Sequence, residues 1–262
     1  MLRRAPITIV CCLAAIGFAS GCGGSAPPQG RRLLAESQNS LVRKDYKGTI
    51  NTTDRFLREY GRTREAGRAY YLRGKAKLAM SNTAGAKADL EQAADVSGNA
   101  DVRANARLAL AQLAFDSGNM IAAENLYRSA ISDIEVGKTP GDHAYYRLGC
   151  SLQRRGKWRQ AELEFRKVIE YFSGSELARR ASRRVNATAW TVQAGAFGNE
   201  TRASSLVKTL RASGLASDVK PVLGKSGPLF IVVVSRYETY QQAARALYSV
   251  KKHQADAFVT VR

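Results

Sequence analysis

Histidine appears only twice in this chain, at His143 and His253, and cysteine four times, at Cys11, Cys12, Cys22 and Cys150. Neither histidine stands in a ligand-like spacing to Cys150, so a His/Cys metal site has no framework. No Ser-His-Asp order, paired carboxylates or thiol-histidine pair emerges, which leaves acyl transfer and acid–base chemistry without candidates. The stretch "GKSG" at 224–227 is not a phosphate loop, because the glycine required five positions before Gly224 is Val219. Neither an enzyme activity nor a cofactor nor a metal is expected. Acidic residues are scarce as well: 22 of them face 41 lysines and arginines, a formal charge of +19. Such a surface attracts polyanions, namely nucleic acid, phospholipid headgroups or acidic polysaccharide. Finally, no apolar run comfortably reaches the ~20 residues of a membrane-spanning helix.

The apolar run that does exist is short. It follows Arg3 and Arg4, reads "ITIVCCLAAIGFA", and has the length of a signal-peptide core. It ends in Ala19, Ser20, Gly21 and Cys22. Small residues before a cysteine resemble the lipobox of bacterial lipoproteins. That resemblance implies a signal peptide over 1–21, lipidation of Cys22, and a tether over 22–30 rich in Gly, Ser and Pro. Ala19 stands where the lipobox usually has Leu. Gly23 after the cysteine, rather than Asp, resembles the outer-membrane pattern. With Cys11 and Cys12 discarded and Cys22 lipidated, only Cys150 remains, so no internal disulfide forms and stability must come from packing.

The middle of the chain repeats. "YYRLGCSLQRRGKWRQAELEFRKVIEYF" places Trp158, Ala161, Phe165, Val168 and Ile169 on one helical face by offsets of three and four. Gly149 and Ala161 are small enough to let two helices approach closely. Upstream copies put Tyr46, Thr83 and Met120 where Trp158 stands, at separations of 37, 37 and 38 residues. Near-constant spacing of this kind marks a repeat array. The pattern resembles tetratricopeptide repeats and predicts an α-solenoid of helix pairs over 31–187. Its last segment, "SELARRASRRVNATA", is expected to be a capping helix with Arg179, Arg180, Arg183 and Arg184 on one face. The resemblance implies a concave partner groove lined by Arg68, Tyr71, Lys75, Asn105, Gln112, His143, Tyr146 and Gln153. Those side chains suit a peptide or acidic segment of an envelope protein.

At Trp190 the pattern changes. Trp190, Val192 and Ala194 alternate with Thr191, Gln193 and Gly195, which marks a strand with two unlike faces. The order onward reads strand, helix, strand, strand, helix, strand. Pro221 places "SDVKPV" at an edge, and the β-branched "PLFIVVVSRY" suits a central strand. A βαββαβ order predicts a four-stranded antiparallel sheet of ferredoxin or RNP type, with both helices on one side. The other face stays open.

Residues 188–262 resemble the SPOR domain of bacterial envelope proteins. The motifs are Trp190 to Phe197 as "WTVQAGAF", Asn199 opening a helix, Ala203, and Leu210, Arg211 and Gly214 at its end. Phe230, Val232, Val234 and Tyr237 keep a later motif, in which Ile231 replaces Arg and Ser235-Arg236 replaces Gly-Pro. The resemblance implies binding of peptidoglycan glycan strands stripped of stem peptides, through the open face. The residues expected there are Thr191, Gln193, Gly195, Asn199, Arg202, Ile231, Val233 and Ser235. An amide at Gln193 meets N-acetyl and hydroxyl groups as donor and acceptor, and Gly195 would let backbone approach the sugar. Loss of stem peptides frees a lactyl carboxylate on each muramic acid, and ten basic against four acidic residues over 188–262 suit that polyanion. An RNA-binding fold shares this strand order but stacks bases on aromatics. Thr191, Gln193, Ile231 and Val233 include no aromatic, so nucleic acid is not expected. The reading is a lipid-anchored envelope protein with periplasmic domains, joining glycan to a protein partner in wall remodelling or division. Its rival is an outer-membrane assembly scaffold whose C-terminal domain binds protein.

Overall fold

The computed structural model describes residues 23–224 and 227–262; the apolar leader, Cys22 and Lys225 lie outside them. Eight helices form four antiparallel pairs: α1 (Pro28–Val42) with α2 (Tyr46–Tyr60), α3 (Ala66–Ala79) with α4 (Thr83–Val96), α5 (Ala100–Asp116) with α6 (Met120–Ile131), and α7 (Gly141–Arg154) with α8 (Trp158–Tyr171). Tyr46, Thr83, Met120 and Trp158 are each the first residue of a second helix. The period is therefore set at the turn between paired helices.

That turn is the same in every repeat. Lys44, Ser81, Gly118 and Gly156 all hold positive φ, at 62°, 61°, 81° and 74°. Glycine adopts this conformation freely, whereas Lys44 and Ser81 hold it at a cost. The next residue then caps the second helix. Asp45, Asn82 and Asn119 accept from the backbone N–H groups of Gly48, Gly85 and Ala122, satisfying donors that a helix start leaves unpaired. Lys157 has no side-chain cap in the fourth repeat.

Across each pair a small residue meets a larger one. A Cβ on Gly74 would stand 3.0 Å from Leu90, and one on Gly149 only 2.7 Å from the Phe165 ring. Ala111 and Tyr127 occupy the equivalent places and are fully buried. Thr49, Ala86, Ala123 and Ala161 recur one turn earlier on the second helices, with no exposed surface. These contacts join into continuous cores along the array.

Both ends of the array depart from the sequence reading. The expected tether is packed rather than free from residue 23 onward. Ala26 is buried with Leu34, Phe56 and Leu72. Its N–H donates to Glu65 Oε2 at 2.9 Å, and the Arg64 N–H reaches the Gly24 carbonyl at 3.3 Å. Pro28, preset for a helical φ, starts α1 inside the supposed tether. The capping helix α9 (Glu176–Ser182) is also shorter than expected. Arg179 and Arg180 both pair with Glu176, while Arg183 is the C-cap and Arg184 lies past the helix end.

The C-terminal unit consists of β1 (Trp190–Phe197), α10 (Glu200–Ala212), β2 (Ser217–Gly224), β3 (Gly227–Tyr237), α11 (Tyr240–Lys251) and β4 (Phe258–Val261). The strands lie in the order β2-β3-β1-β4, all antiparallel. Pro221 sits in the edge strand and the apolar β3 is central, as the sequence predicts. Val192, Ala194, Val232 and Val234 pack beneath Ala203, Val207, Leu210 and Val250 of the two helices.

The two folds meet at Trp190. Its ring lies 5.7 Å from Trp158 of α8 and 5.2 Å from Tyr240 of α11. Its indole N–H donates to the Gln153 carbonyl at 3.0 Å, so the buried polar tip of the ring is satisfied.

One packing prediction follows from the repeat contacts. Ala161→Phe overfills a fully buried contact and is expected to cost about 1–3 kcal/mol. Calorimetry of the full chain should show a lowered unfolding midpoint. An unchanged midpoint would contradict the tight approach of α7 and α8.

Candidate functional site

Strand alternation and register define the uncovered face of the sheet. Positions facing the helices are Val192, Val232 and Val234, so their neighbours face outward. One outward row runs Asp218, Val233, Gln193, Phe258 across all four strands, and the next runs Lys220, Ile231, Ala196. Ile231 is half-buried, Ala196 is exposed and Phe258 is 49% exposed. Gln193 thus presents its amide within a mostly apolar strip, between Val233 and Phe258.

Six of the eight expected glycan residues are engaged elsewhere, buried, or off this face. Thr191 is 2% exposed, and its hydroxyl donates to the Val234 and Ser235 carbonyls. The cause is an irregular register between Trp190 and Val192, which leaves carbonyls that the hydroxyl satisfies. Gly195 lies opposite Val232 on the helix side, because a second shift separates it from Gln193. A Cβ there would meet the Phe197 ring at 2.8 Å, so the glycine makes room for Phe197 and not for a sugar. Asn199 caps α10 by accepting from the Arg202 N–H at 3.1 Å. Arg202 is exposed on that helix, on the covered side of the sheet. Val233 faces outward but is 6% exposed. Ser235 holds φ 50° and bonds to Ala216 at the margin. Gln193 and Ile231 remain as accessible residues of the face.

The sequence reading missed the cations of this face. Lys220, Arg236 and Arg262 occupy outward positions on β2, β3 and the end of β4. Burial lowers the Lys220 pKa most, and Arg262 and Arg236 lower it further against an opposing pull from Asp218. Three like charges on one uncovered face favour an anion over it. Their periodicity gave no signal, because they come from three strands far apart in sequence.

The concave side of the array gathers Tyr71, Lys75, Asn105, Gln112 and His143 around a cavity of about 450 Å³. Two of these side chains are already engaged. The Gln112 amide donates to Asp116 at 2.7 Å and receives the Tyr127 hydroxyl at 3.3 Å, and Asn105 donates to the Asp101 carbonyl. Arg68 lies apart, beside a hollow bounded by Arg64 and Val96. Tyr146 and His143 line a second cavity of about 380 Å³ together with Trp190 and Tyr240. Gln153 is no groove residue: it is 1% exposed, with its amide exchanged with Arg184 and its carbonyl taken by Trp190. Burial raises the pKa of the Cys150 thiol, so it stays protonated and unreactive.

His143 supplies a pH prediction. Burial lowers its pKa first, Arg147 lowers it further, and Asp142 opposes both. The folded chain therefore holds the imidazole neutral longer than the unfolded chain does. Its contribution to stability is complete above the unfolded pKa and is lost as pH falls through the folded value. An NMR titration should place His143 below an ordinary histidine, with Arg147→Gln moving it up and Asp142→Asn moving it down. An unshifted titration would contradict this geometry.

Residues 186–260 match the family of the SPOR domain, and residues 29–133 that of the tetratricopeptide repeat-like domain. No curated protein matches the chain. Among solved structures, one similar in fold is a tetratricopeptide repeat protein from Parabacteroides merdae, 16% identical over 60% of this chain and 59% of that one, with a TM-score of 0.51. A structure of MamA is 18% identical over 60% of this chain and 78% of that one, with a TM-score of 0.48. At these identities the likeness is one of fold alone. Both families are binding modules rather than catalysts, the first for peptidoglycan and the second for proteins. No described helix is long and apolar enough to cross a membrane, and the described residues hold no metal-like cluster. The chain is thus a tetratricopeptide-like helical array followed by a SPOR domain.

Proposed function

We propose that the open sheet face binds peptidoglycan glycan strands freed of their stem peptides, while the helical array holds a protein partner. The observation that carries this reading is the outward Gln193 amide, set in an apolar strip with Lys220, Arg236 and Arg262 nearby. Sugar rings present apolar faces suited to Ile231, Ala196 and Phe258. The N-acetyl groups suit an amide that both donates and accepts. Amidase cleavage leaves a lactyl carboxylate on each muramic acid, and cations held close to one another suit that charge.

Ile231 stands where the SPOR pattern has an arginine. Lys220, paired with Ile231 on the neighbouring strand, returns a cation to nearly the same place. The N-terminal segment completes the proposal: lipidation at Cys22 would anchor the chain in the envelope, at the outer membrane by the Gly23 pattern. Wall remodelling or division is the setting in which naked glycan arises.

Retention on purified sacculi tests this. Amidase-treated sacculi should hold the full chain more strongly than untreated ones, and added salt should weaken the hold by screening. Gln193→Ala should weaken it about two- to tenfold, the equivalent of a hydrogen bond of ~0.5–1.5 kcal/mol. Lys220→Gln with Arg236→Gln should remove most of the salt dependence. Equal retention before and after amidase would instead favour a scaffold whose C-terminal domain binds protein.

A further inference from the structure

Among the described residues, the cavity between the array and the sheet domain holds partly buried cations that no carboxylate matches. Elsewhere, partly buried cations are matched by carboxylates. Arg73 pairs with Asp54 and Asp89, Lys77 with Asp89, Arg103 and Arg107 with Asp133, and Arg155 and Lys157 with Glu124. Of the four arginines that line the cavity, Arg180 pairs with Glu176, which leaves the three partly buried ones, Arg147, Arg154 and Arg184. None of the three makes an ion pair among the described residues.

These guanidinium groups are nonetheless held in place. Arg147 lies 5.0 Å over the Phe115 ring. Arg154 is sandwiched between Phe115 at 4.2 Å and Tyr240 at 4.5 Å. Arg184 donates to Gln153 Oε1 at 2.8 Å. Three positioned cations without an ion-pair partner of their own favour an incoming anion. Their order is imposed before binding, so little rotamer freedom remains to be lost. Aromatic stacking leaves the guanidinium edges available to carboxylate oxygens.

We propose that this cavity receives the carboxylates of an acidic peptide segment, presented by a partner protein that lies along the concave groove. The inference rests on the reading of the array as a protein-binding module, and specifies the chemistry of its partner. Access supports a peptide as the source of the anion. His143 lines both this cavity and the groove that runs past Tyr71 and Lys75, so the two adjoin at that side chain. Trp190 and Tyr240 form part of the cavity wall, and an extended chain lying along the groove would reach the arginines past His143. The open sheet face lies on the opposite side of the sheet from α11, which keeps this site separate from the glycan surface. Because Tyr240 and Trp190 come from the sheet domain, neither domain alone completes the cavity.

The test uses the full chain and a short dye-labelled polyglutamate, with fluorescence anisotropy as the readout. The parent should bind the probe. Arg147→Gln with Arg154→Gln should weaken binding at least about tenfold, with the melting curve showing that the variant is folded. Arg32→Gln with Arg159→Gln removes two exposed charges away from the cavity and should change little. Retention on amidase-treated sacculi should be the same for all three proteins. Equal loss in the two double variants would overturn the proposal, because binding would then follow overall charge. Failure of the parent to bind would also overturn it, and intact sacculus retention would show that the glycan reading stands. Joint loss of probe and sacculus binding in the cavity variant would assign the arginines to glycan, which overturns the peptide assignment.

Discussion

A tryptophan that is buried at a junction must have both its ring and its N–H accommodated, and Trp190 achieves this only with residues from both folds. Its ring needs Trp158 from the last repeat and Tyr240 from the sheet domain, and its N–H needs the Gln153 carbonyl. Trp190 is also the first residue of β1. The sheet therefore begins at the point where it is fastened to the array. Arg154, stacked on both Phe115 and Tyr240, strengthens the same joint. The arginine-lined cavity is a consequence, because its walls are the two surfaces that the joint holds together.

Charge is organised by the same arrangement. The excess of cations is large, yet the array spends many of them on buried carboxylates, with Asp89, Glu124 and Glu164 each accepting at least two. Burial alone would raise the pKa of Glu124, but Lys157 and Arg155 together hold it below its ordinary value. Among the described residues, the partly buried arginines of the junction cavity form no ion pair, and Lys220, Arg236 and Arg262 gather on the open sheet face. The open face suits a repeating carboxylate on a carbohydrate, and the cavity a cluster of carboxylates on a peptide.

Much of this was legible in the sequence, for identifiable reasons. The second-helix starts were readable because each repeat reuses one turn, with a positive φ and an Asp or Asn cap in the first three copies. Strand order was readable because alternation and Pro221 report directly on burial and edges. The site was less legible. Thr191 and Gly195 follow the outward alternation, but two register shifts in β1 turn one inward to backbone carbonyls and the other toward Phe197. A shift of register leaves no mark in a period-two pattern. Gln153 looked like a groove residue because its helical position was right. Its neighbour is not an open groove but the sheet domain, and only a tertiary contact reveals that. Lys220, Arg236 and Arg262 were counted in the sequence but not located, since register places them on one face.

The central claim is that a naked glycan strand lies on the open face of the sheet. Backbone amide shifts of the full chain, followed by NMR as amidase-generated glycan strands are added, test it most directly. Changes are expected to concentrate at Gln193, Ala196, Lys220, Ile231 and Phe258, with the groove around Tyr71 and Lys75 undisturbed. Changes confined to the helical array, or to α10 and α11 on the covered side, would contradict it.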